Sequence, residues 1–262
     1  MAQRSLFERI ASRLATRHHS AIRPHPGPTG GRELPFGVGG KSGALRAAIF
    51  GVNDGLVSNL SLIMGVAGAS VQSRFVVVAG VAGLLAGAFS MAAGEYVSMK
   101  VQRELFERLL HLEAHEIATE PEEEHEELMR IYQERGLPPD LAQQVTEVVM
   151  QDPQVALETH AREELGLDPT QLGSPWGAAV SSFATFAIGA LVPLLPFLFA
   201  SRTPAVVAAI AASGTALFAV GAAMSLLTGR NPLFSGGRML LVGGVAASIT
   251  FGVGRLFHVS AG

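Results

Sequence analysis

Hydrophobic residues in this chain are concentrated in five long segments separated by polar ones. The segments are 47–73, 75–94, 169–201, 203–229 and 239–254, and Asp54 is the one charged residue within them. A helix needs about 20 apolar residues to cross a bilayer core of ~30 Å. Four segments reach that length, and the fifth does so if it continues through Arg255 to Phe257. Because buried helices of soluble proteins are usually shorter and amphipathic, we predict an all-α membrane protein with five transmembrane helices.

The region between the second and third apolar segments has the opposite character. Residues 100–172 contain eighteen acidic and six basic side chains, which predicts a soluble helical insert. Since 95–117 lacks Gly and Pro, we expect span two to continue out of the membrane as one long helix. Pro121 and Pro153 mark the starts of later helices, and Asp140 is expected to cap another. A small bundle of three or four helices follows from this pattern.

Arginine placement predicts the orientation of the spans. The first 46 residues carry eight basic and two acidic side chains, and the loop after span four contains Arg230 and Arg238. The opposite loops contain only Arg74 and Arg202. Basic residues favour the cytoplasmic side, so we expect the N-terminal tail and the insert in the cytoplasm and the C-terminus outside. The membrane would be the plasma (inner) membrane in a bacterium and that of a vacuole or similar organelle in a eukaryotic cell.

The expected domain organisation has four parts. They are a basic, mostly disordered cytoplasmic tail at 1–40 (with a short amphipathic helix at 6–14), spans one and two at 42–99, the acidic cytoplasmic domain at 100–172, and spans three to five at 173–262. Glycines in Gly-x-x-x-Gly steps, Gly51/Gly55 and Gly83/Gly87, favour close helix packing in lipid. Pro193 and Pro196 predict a kink or break in span three.

Several function classes lack their sequence signatures. With no cysteine, a metal would be held by Glu, Asp, His, Met or backbone oxygen. His111 and His115 resemble half a zinc pair, but the glutamate of a metalloprotease is misplaced, and the calcium loop of an EF-hand is missing. The glycines do not form a nucleotide-binding fingerprint, and the spans offer no Ser/His or Asp/Asp pair. We therefore expect no enzyme, no prosthetic group and no nucleic-acid partner.

Helical phase in the insert indicates candidate metal ligands. On the extended second helix Glu104, Glu107, His111 and His115 share one stripe, and Leu105, Phe106, Leu109, Leu110, Leu112 and Ile117 fill the opposite side. Glu113 and Glu116 fall within that apolar side, where a carboxylate is costly unless it is paired or binds a cation. In the last helix His160, Glu163 and Glu164 lie on one side. The run 120–127 is interpreted as a solvated charged segment.

Polar and sulfur-containing residues near the membrane interior indicate a candidate transport path. Asp54 lies within the first apolar segment, and an intramembrane carboxylate is by default a hypothesis for an ion pathway or proton relay. Glu95 lies at the cytoplasmic end of span two. Met91 offers a thioether that could line a path for a borderline transition ion, as could Met64 and Met99, although methionine also serves for packing.

Two peptides carry a family resemblance. GVNDGLVS at 51–58 and GAFSMAAGEYVS at 87–98 resemble the first two spans of the vacuolar iron transporter (Ccc1-like) family. EELGL at 163–167, ALVPLLP at 190–196 and the Gly-rich last span are similar to the same family, so the resemblance covers about residues 42–258. We expect no ferritin-like domain ahead of the spans, unlike in some bacterial relatives.

The resemblance implies a homodimer with five spans per subunit, a cytoplasmic metal-binding domain between spans two and three, and Fe(II)/proton antiport out of the cytoplasm. It assigns Asp54 and Met91 to the translocation path. The ligands it implies on the insert are Glu104, Glu107, Glu113, Glu116 and Glu164. Plant-type members have methionines where this chain has His160-Ala161, which implies a harder ligand set. Some members also have an acid at the position of Gly83.

The resulting hypothesis is a homodimeric, proton-coupled transporter of Fe(II), with Mn(II), Co(II) or Zn(II) as further substrates. The acidic insert would capture the ions, and Asp54 would coordinate them within the membrane. A membrane-anchored metal sensor or binding scaffold without transport is the alternative. Metal binding by the insert fits both hypotheses, so flux separates them.

Overall fold

The described part of the chain consists of helices joined by short turns. A computed structural model of the protein describes residues 40–69 and 72–257. The predicted tail and its amphipathic helix at 6–14 lie outside these residues. The helices are α1 (Gly40–Ala69), α2 (Ser73–Thr119), α3 (Pro121–Glu134), α4 (Pro139–Met150), α5 (Pro153–Glu163), α6 (Pro175–Phe199), α7 (Arg202–Thr228) and α8 (Pro232–Leu256), with a single 3₁₀ turn at Pro169–Gln171.

Five of these helices, α1, α2, α6, α7 and α8, are long and apolar enough to cross a membrane. The predicted number of spans is therefore confirmed. The last span begins at Pro232, seven residues before the predicted start at 239. Local capping explains the difference, because Asn231 accepts a hydrogen bond from the backbone N–H of Leu233 at 2.9 Å and the proline occupies the first turn. The helix thus begins before Arg238, whereas the apolar segment in the sequence begins only after this charged residue.

Helix α1 lies at the centre of the membrane-spanning part, packed against α2, α6, α7 and α8. Glycines permit the closest approach. A Cβ at Gly55 would collide with the backbone carbonyl of Phe186 on α6, and one at Gly189 would collide with that of Val52 on α1. Small residues let helix backbones approach in this way in lipid. Helix α6 continues through Pro193, so the predicted alternative of a break at this residue is wrong.

Helix α2 is continuous over 47 residues, as predicted from the lack of Gly and Pro after Gly94. At 1.5 Å per residue it is about 70 Å long, more than twice the thickness of a bilayer core. An aromatic pair and an ion pair lie about halfway along it. The rings of Tyr96 and Trp176 lie 4.9 Å apart, and Arg46 forms a 3.6 Å ion pair with Glu95. Such residues are typical of a membrane–water interface.

The acidic helices α3, α4 and α5 follow in chain order and pack against one another, and α3 and α5 also pack against α2. The predicted starts at Pro121 and Pro153 are confirmed, and Asp152 caps α5 by accepting from the N–H groups of Gln154 and Val155. The prediction that Asp140 caps α4 is wrong. Pro138 occupies the cap position and Asp140 lies in the first turn, where a carboxylate favours the positive end of the helix dipole.

The apolar side of the C-terminal half of α2 is only partly buried. Leu105 and Leu112 were expected on a buried face, but their exposed fractions are 52% and 47%. Val101, one turn earlier than Leu105, is also exposed. Helices α3 and α5 instead cover the face of α2 that carries Glu113, which is buried. This half of α2 therefore has an exposed apolar stripe that consists of Val101, Leu105 and Leu112.

Candidate metal-binding site

Three buried side chains from three helices converge beside α2. A carboxylate oxygen of Glu113 (α2), one of Glu124 (α3) and a ring nitrogen of His160 (α5) all lie within 4.8 Å of one another. Glu113 is only 3% exposed, and its Oε1 has no hydrogen-bond partner. Burying a carboxylate without a partner is costly, so the arrangement is suited to a cation that bridges these atoms.

A second group overlaps the first. Carboxylate oxygens of Glu124, Glu127 and Glu164 also lie within 4.8 Å of one another. Because Glu124 belongs to both groups, the five residues form one continuous site, called the acidic cluster below: Glu113, Glu124, Glu127, His160 and Glu164. Four carboxylates and one imidazole make up a ligand set of oxygen with some nitrogen, which suits Fe(II), Mn(II) or Zn(II).

The backbone orients the imidazole of His160. Nδ1 lies 2.9 Å from the carbonyl oxygen of Ala156, one turn earlier on α5. When Nδ1 carries the hydrogen it donates to this carbonyl, and the Nε2 lone pair then faces the carboxylates. Nε2 lies 3.6 Å from a carboxylate oxygen of Glu124 and 3.2 Å from its backbone carbonyl oxygen. A hydrogen bond from the ring nitrogen that does not face the metal commonly fixes the tautomer of a metal-binding histidine.

Crowding of the carboxylates changes their acidity. Burial first, and then the neighbouring carboxylates of Glu164 and Glu124, raise the pKa of Glu113 to about 8. Burial likewise raises the pKa of Glu164 to about 7, with contributions from Glu127 and Glu124. The pKa of Glu124 is also raised, mainly by burial, while His160 opposes the shift. A divalent cation would relieve the same repulsion that retains these protons.

The structure distributes the predicted ligands between this cluster and other sites. Glu113, His160 and Glu164 belong to the cluster. Glu116 is exposed, though close enough to raise the pKa of Glu113 and Glu164. Glu163 points elsewhere and forms an ion pair with Arg135.

Two further predicted ligands, Glu104 and Glu107, are not brought to the cluster. Glu104 pairs with Lys100 at 3.3 Å. Glu107 accepts a 2.7 Å hydrogen bond from Arg103, and this bond is the main reason why its pKa is lowered. Both pairs are i, i+4 contacts on the partly exposed surface of α2, a common arrangement on solvated helices.

Sequence reasoning missed Glu124 and Glu127. The interpretation of 120–127 as a solvated run is wrong for Glu124, which is buried. A signal for it exists in the phase of α3, because Glu124 lies one turn before Leu128, a buried apolar residue on the same face. A carboxylate on the same face of a helix as its buried apolar residues is also the signal that identified Glu113 on α2.

The predicted path residues lie on the first two spans. Asp54 is half-buried on α1. Met91 is half-buried on α2 and packs against the core formed by Ala88, Phe186 and Ala190. Glu95 is paired with Arg46. No hydrogen bond or ion pair within the described part of the chain joins these three side chains to one another.

Helix α1 also carries polar atoms that lack partners inside the apolar region. The side-chain oxygens Asn53 Oδ1, Asn59 Oδ1 and Ser61 Oγ are buried without a hydrogen bond. Asn59 is satisfied on its other side, since its Nδ2 donates to the carbonyl of Ala190 at 2.7 Å. Buried polar groups normally find partners, so these oxygens make α1 a span able to offer ligands to water or an ion. Single hydroxyls on two other spans, Ser182 Oγ of α6 and Ser213 Oγ of α7, are buried without a partner in the same way.

Comparison with known proteins places the chain in one family. The model of the VIT family matches residues 45–255. The vacuolar iron transporter of Acanthamoeba castellanii is 38% identical over 218 residues, which cover 83% of this chain and 80% of the relative. Vacuolar iron transporter 1 of Oryza sativa subsp. japonica is 32% identical over 212 residues (80% and 84%), and vacuolar iron transporter homolog 1 of the same plant is 36% identical over 214 residues (81% and 73%). The chain therefore belongs to the VIT family.

Proposed function

We propose that this protein transports Fe(II), and with it Mn(II), Co(II) or Zn(II), out of the cytoplasm in exchange for protons. The acidic cluster is the observation that carries the proposal. It joins four carboxylates and an imidazole from the extension of α2, from α3, and from α5 with its C-cap residue Glu164. Kinship with proteins named vacuolar iron transporters supports iron as the transported metal. Iron is the substrate here, and the transport cycle uses no prosthetic group.

The acidic segment lies in the cytoplasm in this proposal. Its domain comprises residues 100–172, between membrane parts at 42–99 and 173–262. The basic tail and the loop with Arg230 and Arg238 share its side of the membrane, which fits the preference of basic residues for the cytoplasm. A field of eighteen acidic side chains raises the local concentration of divalent cations beside the spans.

Transfer through the membrane then depends on α1 and α2. Asp54 coordinates the ion after it leaves the cluster, and the unpaired oxygen of the adjacent Asn53 supports a ligand-bearing position here. Met91 contributes a thioether from α2, and Glu95 lies at the cytoplasmic entrance. Protons that occupy carboxylates in the empty state leave when the cation binds, which supplies the chemistry for coupling to a pH gradient.

A homodimer completes the proposal. The exposed stripe Val101, Leu105 and Leu112 supports it, because an apolar stripe in the aqueous region calls for a partner surface. Two copies of α2 packed along this stripe would bring two acidic clusters into one assembly. A two-fold arrangement in which the same surface contacts itself is the commonest form of oligomer.

Flux measurement tests the proposal. The full chain is reconstituted in liposomes with a chelating dye inside, and Fe(II) entry is followed with and without an imposed pH gradient. We expect entry that increases with the gradient and is lost in Asp54→Ala, with Asp140→Asn, an exposed carboxylate on α4, as the control that retains flux. Absence of flux for every divalent ion, with metal still bound by the cluster, would replace the proposal with the sensor or scaffold.

A further inference from the structure

An apolar cavity lies between α1, α7 and α8, away from the acidic cluster. Its volume is about 330 Å³, within the range of ligand-binding cavities. Leu60 and Met64 of α1, both buried, form its floor. Ile210 and Leu217 of α7 and Phe251 of α8 are among its walls. The cavity therefore belongs to the membrane-spanning part of the protein.

The lining offers hydrocarbon and almost nothing else. Among the described residues that line it, Ser248 is the only one with a polar side chain, and its hydroxyl already donates to the carbonyl of Gly244 at 2.7 Å. A ligand in the cavity would find no free donor on these side chains, and the Ser248 hydroxyl oxygen would be its one acceptor among them. The chemistry of the site thus selects a flexible hydrocarbon and excludes a polar solute or an ion.

The cavity continues into a shallow surface groove. Leu240, Gly244 and Ser248 line both, and the groove extends along the outer side of α8 to Leu241 and Val245, which are exposed. In a membrane-spanning helix this exposed side faces lipid. A hydrocarbon can therefore enter sideways from the bilayer, where acyl chains are the abundant hydrocarbon.

One end of the groove carries a positive charge. Arg238 precedes Leu241 and Val245 by three and seven residues, which places the three on one stripe of α8. Arg238 is exposed, and it takes part in no ion pair among the described residues. Arg230 lies in the adjoining turn between α7 and α8. A phosphate at this end of the groove would gain a charge-assisted partner.

We propose that the groove between α7 and α8 binds an anionic phospholipid, with one acyl chain in the cavity and the headgroup phosphate at Arg238. The acyl chain fills a space against α1 that protein side chains leave open. It thereby stabilises the contact of α8 with the other spans. The site is independent of the proposed transport function, since it requires only a membrane-embedded chain.

Glycines in the groove allow a clean test. A Cβ at Gly214 or Gly244 would meet no atom within 4 Å, and both residues line the cavity. Both positions therefore have room for a Cβ, and the larger side chains of Gly214→Leu and Gly244→Leu occupy space that an acyl chain would need. Gly252, also on α8, has equally open space but does not line the cavity, so Gly252→Leu is the matched control. Thermal transition midpoints of all variants verify folding.

The full chain is reconstituted in nanodiscs of equal phosphatidylglycerol and phosphatidylcholine and released into the gas phase, where mass spectrometry counts the lipids retained. We expect retained phosphatidylglycerol to exceed phosphatidylcholine, and to fall about tenfold in Gly244→Leu, a loss of ~1.4 kcal/mol, with Gly252→Leu unchanged. Arg238→Gln should remove the preference for phosphatidylglycerol while an acyl chain is still retained.

Three results would overturn the proposal. One is unchanged lipid retention in both Gly214→Leu and Gly244→Leu. Another is equal retention of the two phospholipids by the unmodified chain, which would leave no role for Arg238. The third is a lower dimer fraction in Gly244→Leu with lipid retention intact, since this would assign the groove to a second copy of the protein.

Discussion

Nε2 of His160 on α5 lies 3.6 Å from a carboxylate oxygen of Glu124 on α3, a residue 36 positions earlier in the chain. This contact joins the first and last helices of the acidic segment, and Glu113 of α2 adds a third helix to the same point. A metal ion at this position would connect all three helices. Binding of a divalent ion should therefore both require the cluster and stabilise the fold of this segment.

The first prediction concerns the ligands themselves. Glu113→Gln and Glu124→Gln should each weaken binding of Mn(II), a redox-stable probe, by about tenfold or more, because each removes a charged ligand from the buried group. Glu104→Gln should leave the affinity within about twofold, since Glu104 is paired with Lys100 on the surface of α2. Titration calorimetry on the full chain in detergent measures all three. Equal losses in the three variants would indicate a diffuse acidic field in place of a defined site.

The second prediction concerns pH. The pKa values of Glu113 and Glu164, about 8 and about 7, lie above the ordinary 4.5, so the empty folded protein holds protons that the unfolded chain releases. Their contribution to stability is fully present below pH 4.5 and is lost as the pH rises through about 7 and 8. The metal-free acidic segment should therefore become less stable between pH 5 and 8.

Metal binding should show the opposite dependence on pH. A cation displaces those protons, so its apparent affinity should rise by about tenfold per pH unit for each proton released, up to the raised pKa values. Calorimetry in buffers of different ionisation enthalpy counts the protons. Affinity independent of pH between 6 and 8, with no proton release, would contradict the placement of Glu113 and Glu164 among the ligands.

The third prediction concerns packing between α1 and α6. A Cβ at Gly55 would collide with the carbonyl oxygen of Phe186, and backbone cannot move aside as a flexible side chain can. Gly55→Ala should therefore lower the stability of the protein by about 1–3 kcal/mol, seen as a lower thermal midpoint in detergent. Gly94→Ala is the control, because nothing lies within 4 Å of a Cβ there. Equal midpoints for the two variants would mean that α1 and α6 are not in close contact.

Local signals allowed much of the fold to be predicted from the sequence. Hydropathy identified the five spans, and the lack of Gly and Pro after Gly94 identified the continuous α2. Pro121 and Pro153 mark helix starts through their own backbone geometry. In each case the residues that determine the helix lie within the helix or next to its end, so a single sequence is sufficient to predict it.

Contacts between helices could not be predicted in the same way. Periodicity showed that α2 has an apolar side, but the choice of the stripe that α3 and α5 cover depends on how the helices dock, and Leu105 and Leu112 remain exposed. Glu113 was identified because a carboxylate on an apolar side is anomalous. Glu124 lies in a run of glutamates that hides the same anomaly, and its neighbour in space, His160, is remote in sequence.

The last prediction tests whether the sulfur of Met91 takes part in transport. Met91→Leu keeps a similar volume against Ala88 and Phe186 and removes the thioether, so the cost in stability should stay below about 1.5 kcal/mol. If the sulfur contacts the ion, Fe(II) flux should fall by roughly three- to tenfold while Mn(II), which prefers oxygen ligands, is affected less. Met99→Leu is the matched control, because Met99 is buried in a separate cluster with Ala47 and Ala178. Identical flux ratios of the two ions in both variants and in the unmodified chain would assign Met91 to packing and leave Asp54 as the proposed ligand within the spans.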